Sequence, residues 1–256
     1  MSNPPTERRI KEIVSLKRKK GRDEHGIYLV EGFRSINSAI DAKAPLVELY
    51  VTPDLFENFR KKQLLSKSEV GFSVVSDRVM AKMSDTSSPS GVLALLNMPS
   101  PTLECISCMP KVLVLDGVQD PGNVGTLIRT AAWFGINAVV SGPGTADYFA
   151  PKTVRSSMGG LWGVVLERVE FLAGFVATNV RAGVDVRIAD MGGQHIDEWS
   201  PKGPSMIVIG SEAHGVSEDV RTASNGPVSI PGADQSGAVE SLNAAVAAGI
   251  LMSHWG

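Results

Sequence analysis

Five polar residues stand in three stretches of this chain, two of them glycine-bearing, and their types suit holding and orienting a ligand. Asn123 and Arg129 lie in Asp116-Gly-Val-Gln-Asp-Pro-Gly-Asn-Val-Gly-Thr-Leu-Ile-Arg-Thr-Ala-Ala132. Glu212 lies in Met206-Ile-Val-Ile-Gly-Ser-Glu-Ala-His-Gly-Val-Ser217, and Ser241 and Asn243 in Ser241-Leu-Asn-Ala-Ala-Val-Ala-Ala248. The glycines permit tight strand-to-helix turns and let backbone come close to a ligand. Glu212 is the one charged group in its turn, and His214 beside it is given no role. A guanidinium keeps its proton above about pH 12. Arg129 is therefore better equipped to orient an anion through its fork of donors than to take up a proton. Read singly, these residues have plain structural uses: Asn123 as a helix N-cap, Arg129 as an exposed helical arginine, Ser217 as a cap, and Ser241 as the N-cap of the last helix. Asn243 then falls in a first helical turn, where helix propensity gives no reason for it.

The elements that must position these stretches alternate along the chain. After a tail containing Pro4 and Pro5, a basic helix-compatible run from about 6 to 20 carries Ile10, Ile13, Val14 and Leu16. Strands are expected at Gly26–Val30, Val47–Val51, Phe72–Val75 and Gly91–Leu96, and helices at Gly32–Ala42, Pro53–Leu65 and Asp77–Met83. Asn97–Pro110, with Pro99, Pro101 and Pro110, reads as a linker. Beyond it, strands Val112–Leu115, Ala138–Val140, Val164–Leu166, Asp185–Ile188, Ser205–Ile209 and Val228–Ile230 are expected. Helices are expected near Val124–Phe134, Pro151–Gly159, Phe171–Ala182 and Ser241–Trp255. This alternation implies an α/β fold with a mostly parallel sheet covered on both faces. Ligands of such sheets bind at loops beyond the carboxyl ends of the strands, where all three stretches begin. The expected domains are 1–98, a linker over 99–110, and 111–256.

Composition sets the remaining bounds. Of 256 residues, 43% are apolar and 20% charged, which is the balance of a globular protein and excludes a disordered or fibrous one. The net charge of −2 hides an asymmetry: residues 1–100 carry 16 Lys and Arg against 12 Asp and Glu, and residues 101–256 carry 9 against 15. The excess is concentrated in Arg8, Arg9, Lys11, Lys17, Arg18, Lys19, Lys20 and Arg22, which face only Glu12. Such a cluster can neutralise phosphates, or it can simply be a solvated helix face. Cys105 and Cys108 form a lone C-x-x-C without the further ligands a zinc site needs, so they read as incidental thiols of a reducing cytosol and no metal is expected. No apolar run reaches the roughly 18 residues of a membrane span, and the N-terminus does not read as a signal peptide; a soluble cytoplasmic protein is expected. Gly142-Pro-Gly-Thr-Ala-Asp147 lacks the third glycine of a dinucleotide loop and follows the second strand of its domain, which argues against nicotinamide binding.

Taken together and in this order, Asn123-x-Gly125…Arg129-Thr-Ala, Gly210-Ser-Glu-Ala-His-Gly215 and Ser241-Leu-Asn243 resemble the three signature blocks of the SpoU/TrmH-type RNA ribose 2′-O-methyltransferases. The resemblance spans nearly the whole chain. Lys19-Lys-Gly-Arg22, Tyr28-Leu-Val-Glu-Gly32 and Ser88-Pro-Ser-Gly-Val92 look like the appended substrate-binding domain related to ribosomal protein L30e. The second half looks like the SPOUT catalytic domain, and a trefoil knot is implied by the resemblance alone. It also implies S-adenosylmethionine as methyl donor, and a homodimer with both active sites at the catalytic interface. Asn123, Arg129, Glu212, Ser241 and Asn243 would form the catalytic set, with Arg129 either transiently a base or an orienting cation. Gly210, Ser211, Ile230, Pro231 and Leu242 would contact the cofactor. RNA would meet Arg8, Arg9, Lys17, Arg18, Lys19, Lys20 and Arg22, and also Lys152 and Arg155 of Pro151-Lys-Thr-Val-Arg-Ser-Ser-Met-Gly159. The chain departs from the family pattern at Ser211, Ala213 and Gly232, and its loop between Ile230 and Leu242 is longer, which leaves the pocket lining over 232–240 open. Ribosomal RNA is expected ahead of transfer RNA. The alternatives are a non-catalytic RNA-binding or ribosome-assembly protein on this scaffold, and a relative that methylates a base.

Overall fold

The computed structural model describes residues 4–56, 70–99, 106–232 and 241–255. It divides into two compact units, one made of residues 1–100 with 147–162 and the other of 101–146 with 163–256. In the first, α1 (Glu7–Ser15) ends short of the helical run expected to about 20, and a second helix, α2 (Lys19–His25), starts as that run closes. The break has a local cause. Gly21 packs so closely on Ser15 that a Cβ there would lie 2.3 Å from the Ser15 carbonyl oxygen, and Arg22 reaches back to donate to the Leu16 carbonyl at 2.7 Å. β1 (Ile27–Glu31), α3 (Phe33–Asp41), β2 (Leu46–Val51), β3 (Phe72–Val74), α4 (Asp77–Met83) and β4 (Val92–Asn97) follow, within a residue or so of expectation. Of the expected helix Pro53–Leu65, residues 53–56 are helical and 57–65 lie outside the described residues.

The sheet order is β1-β4-β2-β3, antiparallel except for the β2–β3 pair. All five residues of β1 are buried, because both faces of the strand are covered. Leu29 joins Ile10, Ile13, Leu16, Met80, Met83, Leu93 and Leu95 on one side. On the other, the Tyr28 ring meets that of Phe149 at a tilt, with centroids 4.8 Å apart, and its hydroxyl accepts from Trp162 Nε1 at 3.1 Å. Burial pushes the Tyr28 phenol up to about 12, against a small opposing effect of that hydrogen bond.

The second unit is built on six parallel strands, β5 (Lys111–Asp116), β6 (Ala138–Ser141), β7 (Val165–Arg168), β8 (Asp185–His195), β9 (Ser205–Gly210) and β10 (Pro227–Ser229), in the order β10-β8-β9-β5-β6-β7. β8 runs on to His195, well past the expected Ile188, because β10 pairs first with Ile188 and then, after a register shift, with Gln194 and His195. Alternate strand residues face opposite sides. Val112, Val114, Ala138, Val140, Met206 and Val208 form one core face with Leu172, Val176 and Val220. Leu113, Leu115, Ile207 and Ile209 are buried on the other. The helices are α5 (Pro121–Trp133), α6 (Pro151–Ser157), α7 (Leu172–Arg181), α8 (Glu218–Ala223) and α9 (Ala244–His254), of which α6 packs in the first unit. α5 and α9 lie against each other. The end of α9 is anchored: Trp255 Nε1 donates to Ser205 Oγ at 2.9 Å, Lys111 Nζ donates to the Trp255 carbonyl at 2.6 Å, and the Trp255 ring lies 5.8 Å from that of Trp199.

Candidate active site

Parallel strands bring their carboxyl ends to one edge, and the loops that follow β5 and β9 there lead to Asn123 and Glu212. At the end of β5, Asp120 takes the N-cap of α5, accepting from the Asn123 backbone N–H at 3.0 Å. The expectation that Asn123 would cap this helix is corrected. Pro121 occupies the first helical position, where a missing N–H costs nothing, and so the cap falls to the residue before it. Asn123 thereby keeps its carboxamide free for the site. A second correction concerns α9: its N-cap is Asn243, not Ser241, and Asn243 Oδ1 accepts from the N–H groups of Ala245 at 2.9 Å and Val246 at 3.3 Å. Ser241 lies two residues ahead of the cap and is exposed.

These caps fix the direction of a hydrogen-bond chain. Because Asn243 Oδ1 is committed to backbone donors, its Nδ2 must be the outward group, and it donates to Asn123 Oδ1 at 3.3 Å. Asn123 then presents its own Nδ2 to Glu212 Oε1 at 2.6 Å. The three side chains come from the ends of β5, β9 and the segment before α9, and their polarity runs from a helix N-terminus to a carboxylate. Glu212 sits in a turn closed by two backbone bonds between Ser211 and Gly215, of 3.0 and 2.8 Å. Gly210 is obligatory there, since a Cβ would lie 2.1 Å from the Gly215 carbonyl carbon. Ser211 Oγ accepts from the N–H groups of Ala213 and His214, each at 3.3 Å, so its hydroxyl serves the turn itself. Behind the turn, Arg221 of α8 pairs with Asp190 of β8; that hydrogen bond, then one from the Gly192 N–H, holds the Asp190 carboxyl below its usual range.

Leu242 is 47% exposed and Ile230 half-buried, apolar groups left open at the same edge, with Pro231 also exposed. Residues 233–240 lie outside the described residues. Arg129 is not brought into the chain. Six residues past Asn123, it lies about 9 Å further along α5 and about 120° around it, on an exposed face it shares with Thr126 and Trp133.

The expected RNA-contacting residues divide sharply. Arg22 is 2% exposed and ion-paired with Asp147 at 2.5 Å, so its assignment to the RNA surface is corrected: it is a buried structural charge. Arg9 donates to Glu48 at 2.8 and 3.3 Å and to Glu12 at 2.9 Å. Burial opposes the charge on Arg9, but these carboxylates outweigh it and hold the guanidinium above its ordinary pKa. Arg155 is paired with Asp85 at 3.0 Å and Glu31 at 3.6 Å. Arg8 pairs with Glu12, Lys19 with Asp23, and Lys17 Nζ donates to the Lys82 carbonyl. Arg18, Lys20 and Lys152 are exposed.

Comparison with known proteins decides the family. The SpoU rRNA Methylase family model matches residues 110–253, more than half of the chain. The chain belongs to the SpoU methylase family. An MRM3-like substrate binding domain matches residues 7–94. The 23S rRNA (guanosine(2553)-2′-O)-methyltransferase RlmP of Bacillus subtilis is 31% identical over 96% of this chain and 95% of its own length. A TrmH-family protein from Porphyromonas gingivalis superposes with a TM-score of 0.86 at 31% identity, covering 98% of each chain. The SpoU methyltransferase AviRb from Streptomyces viridochromogenes, solved with AdoMet, superposes at 0.84 with 26% identity over 97% of each. Sequence reasoning named Asn123, Glu212 and Asn243, which the structure brings together, but passed over Asp116 and Asp120. The Asp-Pro pair was the available signal for Asp120, as an N-cap before a proline at the first helical position.

Proposed function

We propose that the protein transfers a methyl group from S-adenosylmethionine to a ribose 2′-hydroxyl of ribosomal RNA. The observation that carries this reading is the Asn243–Asn123–Glu212 chain at the carboxyl edge of the parallel sheet. The residues there fit the donor: Glu212 offers a negative charge toward a sulfonium, and Ile230 and Leu242 leave apolar surface open toward an adenosyl group. When bound, S-adenosylmethionine supplies a methyl already activated on a cationic sulfur. Gly210, Ile230, Pro231 and Leu242 would hold it, with Ser211 acting through the shape of its turn. Asn123 and Asn243, oriented by the cap of α9, would fix Glu212 and the acceptor hydroxyl in line. Arg129 would stay charged and orient the RNA phosphate and hydroxyl by its fork of donors.

The site is completed by a second copy of the chain. Arg129 lies about 120° around α5 from its own Asn123, and Trp133 of α5 and Val246 of α9 are 84% and 52% exposed. Such apolar groups on two helices that pack together suit a contact surface, and with the family resemblance we assign a homodimer in which Arg129 reaches the partner's site. Residues 1–98 serve as the substrate-binding domain, 99–110 as linker, and 111–256 as the catalytic domain, closed by a knotted C-terminal segment. Arg18, Lys20 and Lys152 would carry most of the contact with RNA phosphates. The place of work is the cytoplasm. The relatives acting on 23S rRNA favour ribosomal RNA over transfer RNA.

The test is to incubate purified protein with labelled S-adenosylmethionine and ribosomal or transfer RNA, and then analyse the nucleosides by mass spectrometry. A 2′-O-methylated nucleoside from ribosomal RNA is expected. Label confined to a base, to transfer RNA, or to no RNA overturns the reading.

A further inference from the structure

We infer that Asp116 is a positioning residue for methyl transfer, acting by locking the Glu212 turn against the loop that carries Asn123; the inference rests on the function proposed above. Asp116 is the last residue of β5 and pairs with Gly210, the last residue of β9. From that root, two loops leave side by side, one toward Asn123 and one toward Glu212. The second loop returns at Ser217, whose backbone N–H donates to Asp116 Oδ2 at 2.7 Å. One residue therefore holds the Glu212 loop at both its ends, by its backbone at Gly210 and by its carboxylate at Ser217. It is also continuous in the chain with the Asn123 loop.

The consequence follows from the geometry at the tips. Asn123 and Glu212 meet at 2.6 Å, and a shift of about an ångström in either loop would carry them beyond hydrogen-bond reach. The bonds inside the turn, from Ser211 to Gly215, Ala213 and His214, keep its shape but do not tie it to the neighbouring loop. Ser217 is the N-cap of α8 without a side-chain capping bond, and its backbone N–H secures the returning end of the loop to Asp116. Asp116 touches none of the reacting groups assigned above; it sets where Glu212 stands relative to Asn123.

The test compares Asp116→Ala with Asp116→Asn, which retains an acceptor oxygen of the same reach. For a hydrogen bond to a carboxylate, Asp116→Ala is expected to slow single-turnover methyl transfer about tenfold or more. RNA affinity should stay at the wild-type value, the Ser217 amide should exchange faster with solvent, and Asp116→Asn should recover most of the rate. Combining Asp116→Ala with Glu212→Ala should slow transfer no further than Glu212→Ala alone. Wild-type transfer by Asp116→Ala overturns the inference. So does an Asp116→Asn variant as slow as Asp116→Ala with the same melting temperature as wild type, or full additivity with Glu212→Ala. The amide-exchange arm reads the lock without any methyl transfer, so failure of the functional reading and failure of this inference give different results.

Discussion

Asn243 performs two tasks with one side chain, and substitutions can separate them. Its Oδ1 caps α9 through Ala245 and Val246, while its Nδ2 orients Asn123. Asn243→Ala removes both, and loss of such a cap costs about 1 kcal/mol of stability. Asn243→Asp keeps the acceptor, and a negative charge at a helix N-terminus is favourable by up to about 1 kcal/mol, so the melting temperature should hold. The donor is lost, however. A carboxylate oxygen would face Asn123 Oδ1 at 3.3 Å and turn the Asn123 amide over. That turn would in its place set Asn123 Oδ1 against Glu212 Oε1, now 2.6 Å from an N–H. A hydrogen bond to a charged group contributes about 1.5–3 kcal/mol, so methyl transfer should fall about tenfold to a hundredfold. Thermal melts and single-turnover transfer of labelled methyl to RNA measure the two arms. Wild-type transfer by the Asp variant, or a melting temperature as low as that of the Ala variant, would show that the polarised chain is not what Asn243 provides.

Four further outcomes follow from named contacts. Arg129→Lys keeps the charge but not the fork, so single-turnover transfer should drop sharply with S-adenosylmethionine affinity unchanged; a near-normal rate argues against an orienting role. Arg18→Ala and Lys20→Ala should each weaken RNA binding and reduce the steepness of its salt dependence by about one, whereas Arg22→Ala should leave that slope alone and destabilise the fold by about 3–5 kcal/mol by stranding Asp147. Trp255→Ala removes a buried indole and its bond to Ser205, and denaturant melts should show a loss of about 3–5 kcal/mol. Tyr28, near 10 when unfolded and about 12 when folded, contributes stability that is complete below about pH 10 and lost as pH rises through 12, about 2–3 kcal/mol in all. Tyr28→Phe should flatten that part of the alkaline melting curve, and an unchanged slope would contradict the assignment.

The parallel unit was legible because its strands are short, apolar on both faces and bounded by glycine-rich turns, the pattern Val112–Leu115 and Met206–Ile209 show most plainly. Less was legible wherever a single contact overrode a local pattern. The basic run from 6 to 20 carries helical periodicity at Ile10, Ile13, Val14 and Leu16, yet the close approach at Gly21 and the inward turn of Arg22 end the helix at Ser15 and start another at Lys19. Charge alone could not show that Arg22 is buried, because its partner Asp147 is distant in sequence and stands in a segment that reads as part of the other domain. The caps were misplaced by one rule applied too soon. Asn123 and Ser241 are both good caps by type, but the proline after Asp120 and the two donors at Ala245 and Val246 decide the matter.

These misplaced caps bear on the chemistry. Had Asn123 capped α5, its carboxamide would have been spent on backbone, and Glu212 would face no donor from that loop. Moving the cap to Asp120 frees one carboxamide, and giving α9 its cap through Asn243 fixes the orientation of the second. Two carboxamides, each able to point either way, become a chain with one direction, because the helix N-terminus admits only an acceptor. The direction ends on Glu212, whose second oxygen is left to meet whatever lies at the sheet edge. Within one chain the only positive group assigned to this chemistry, Arg129, lies about 9 Å away along α5. In the proposed homodimer the cation would instead arrive from a second copy, across the face that carries Trp133. Trp133→Glu should then yield a stable monomer by sedimentation, one that still binds S-adenosylmethionine but transfers no methyl. An active monomer would show that Arg129 serves its own site.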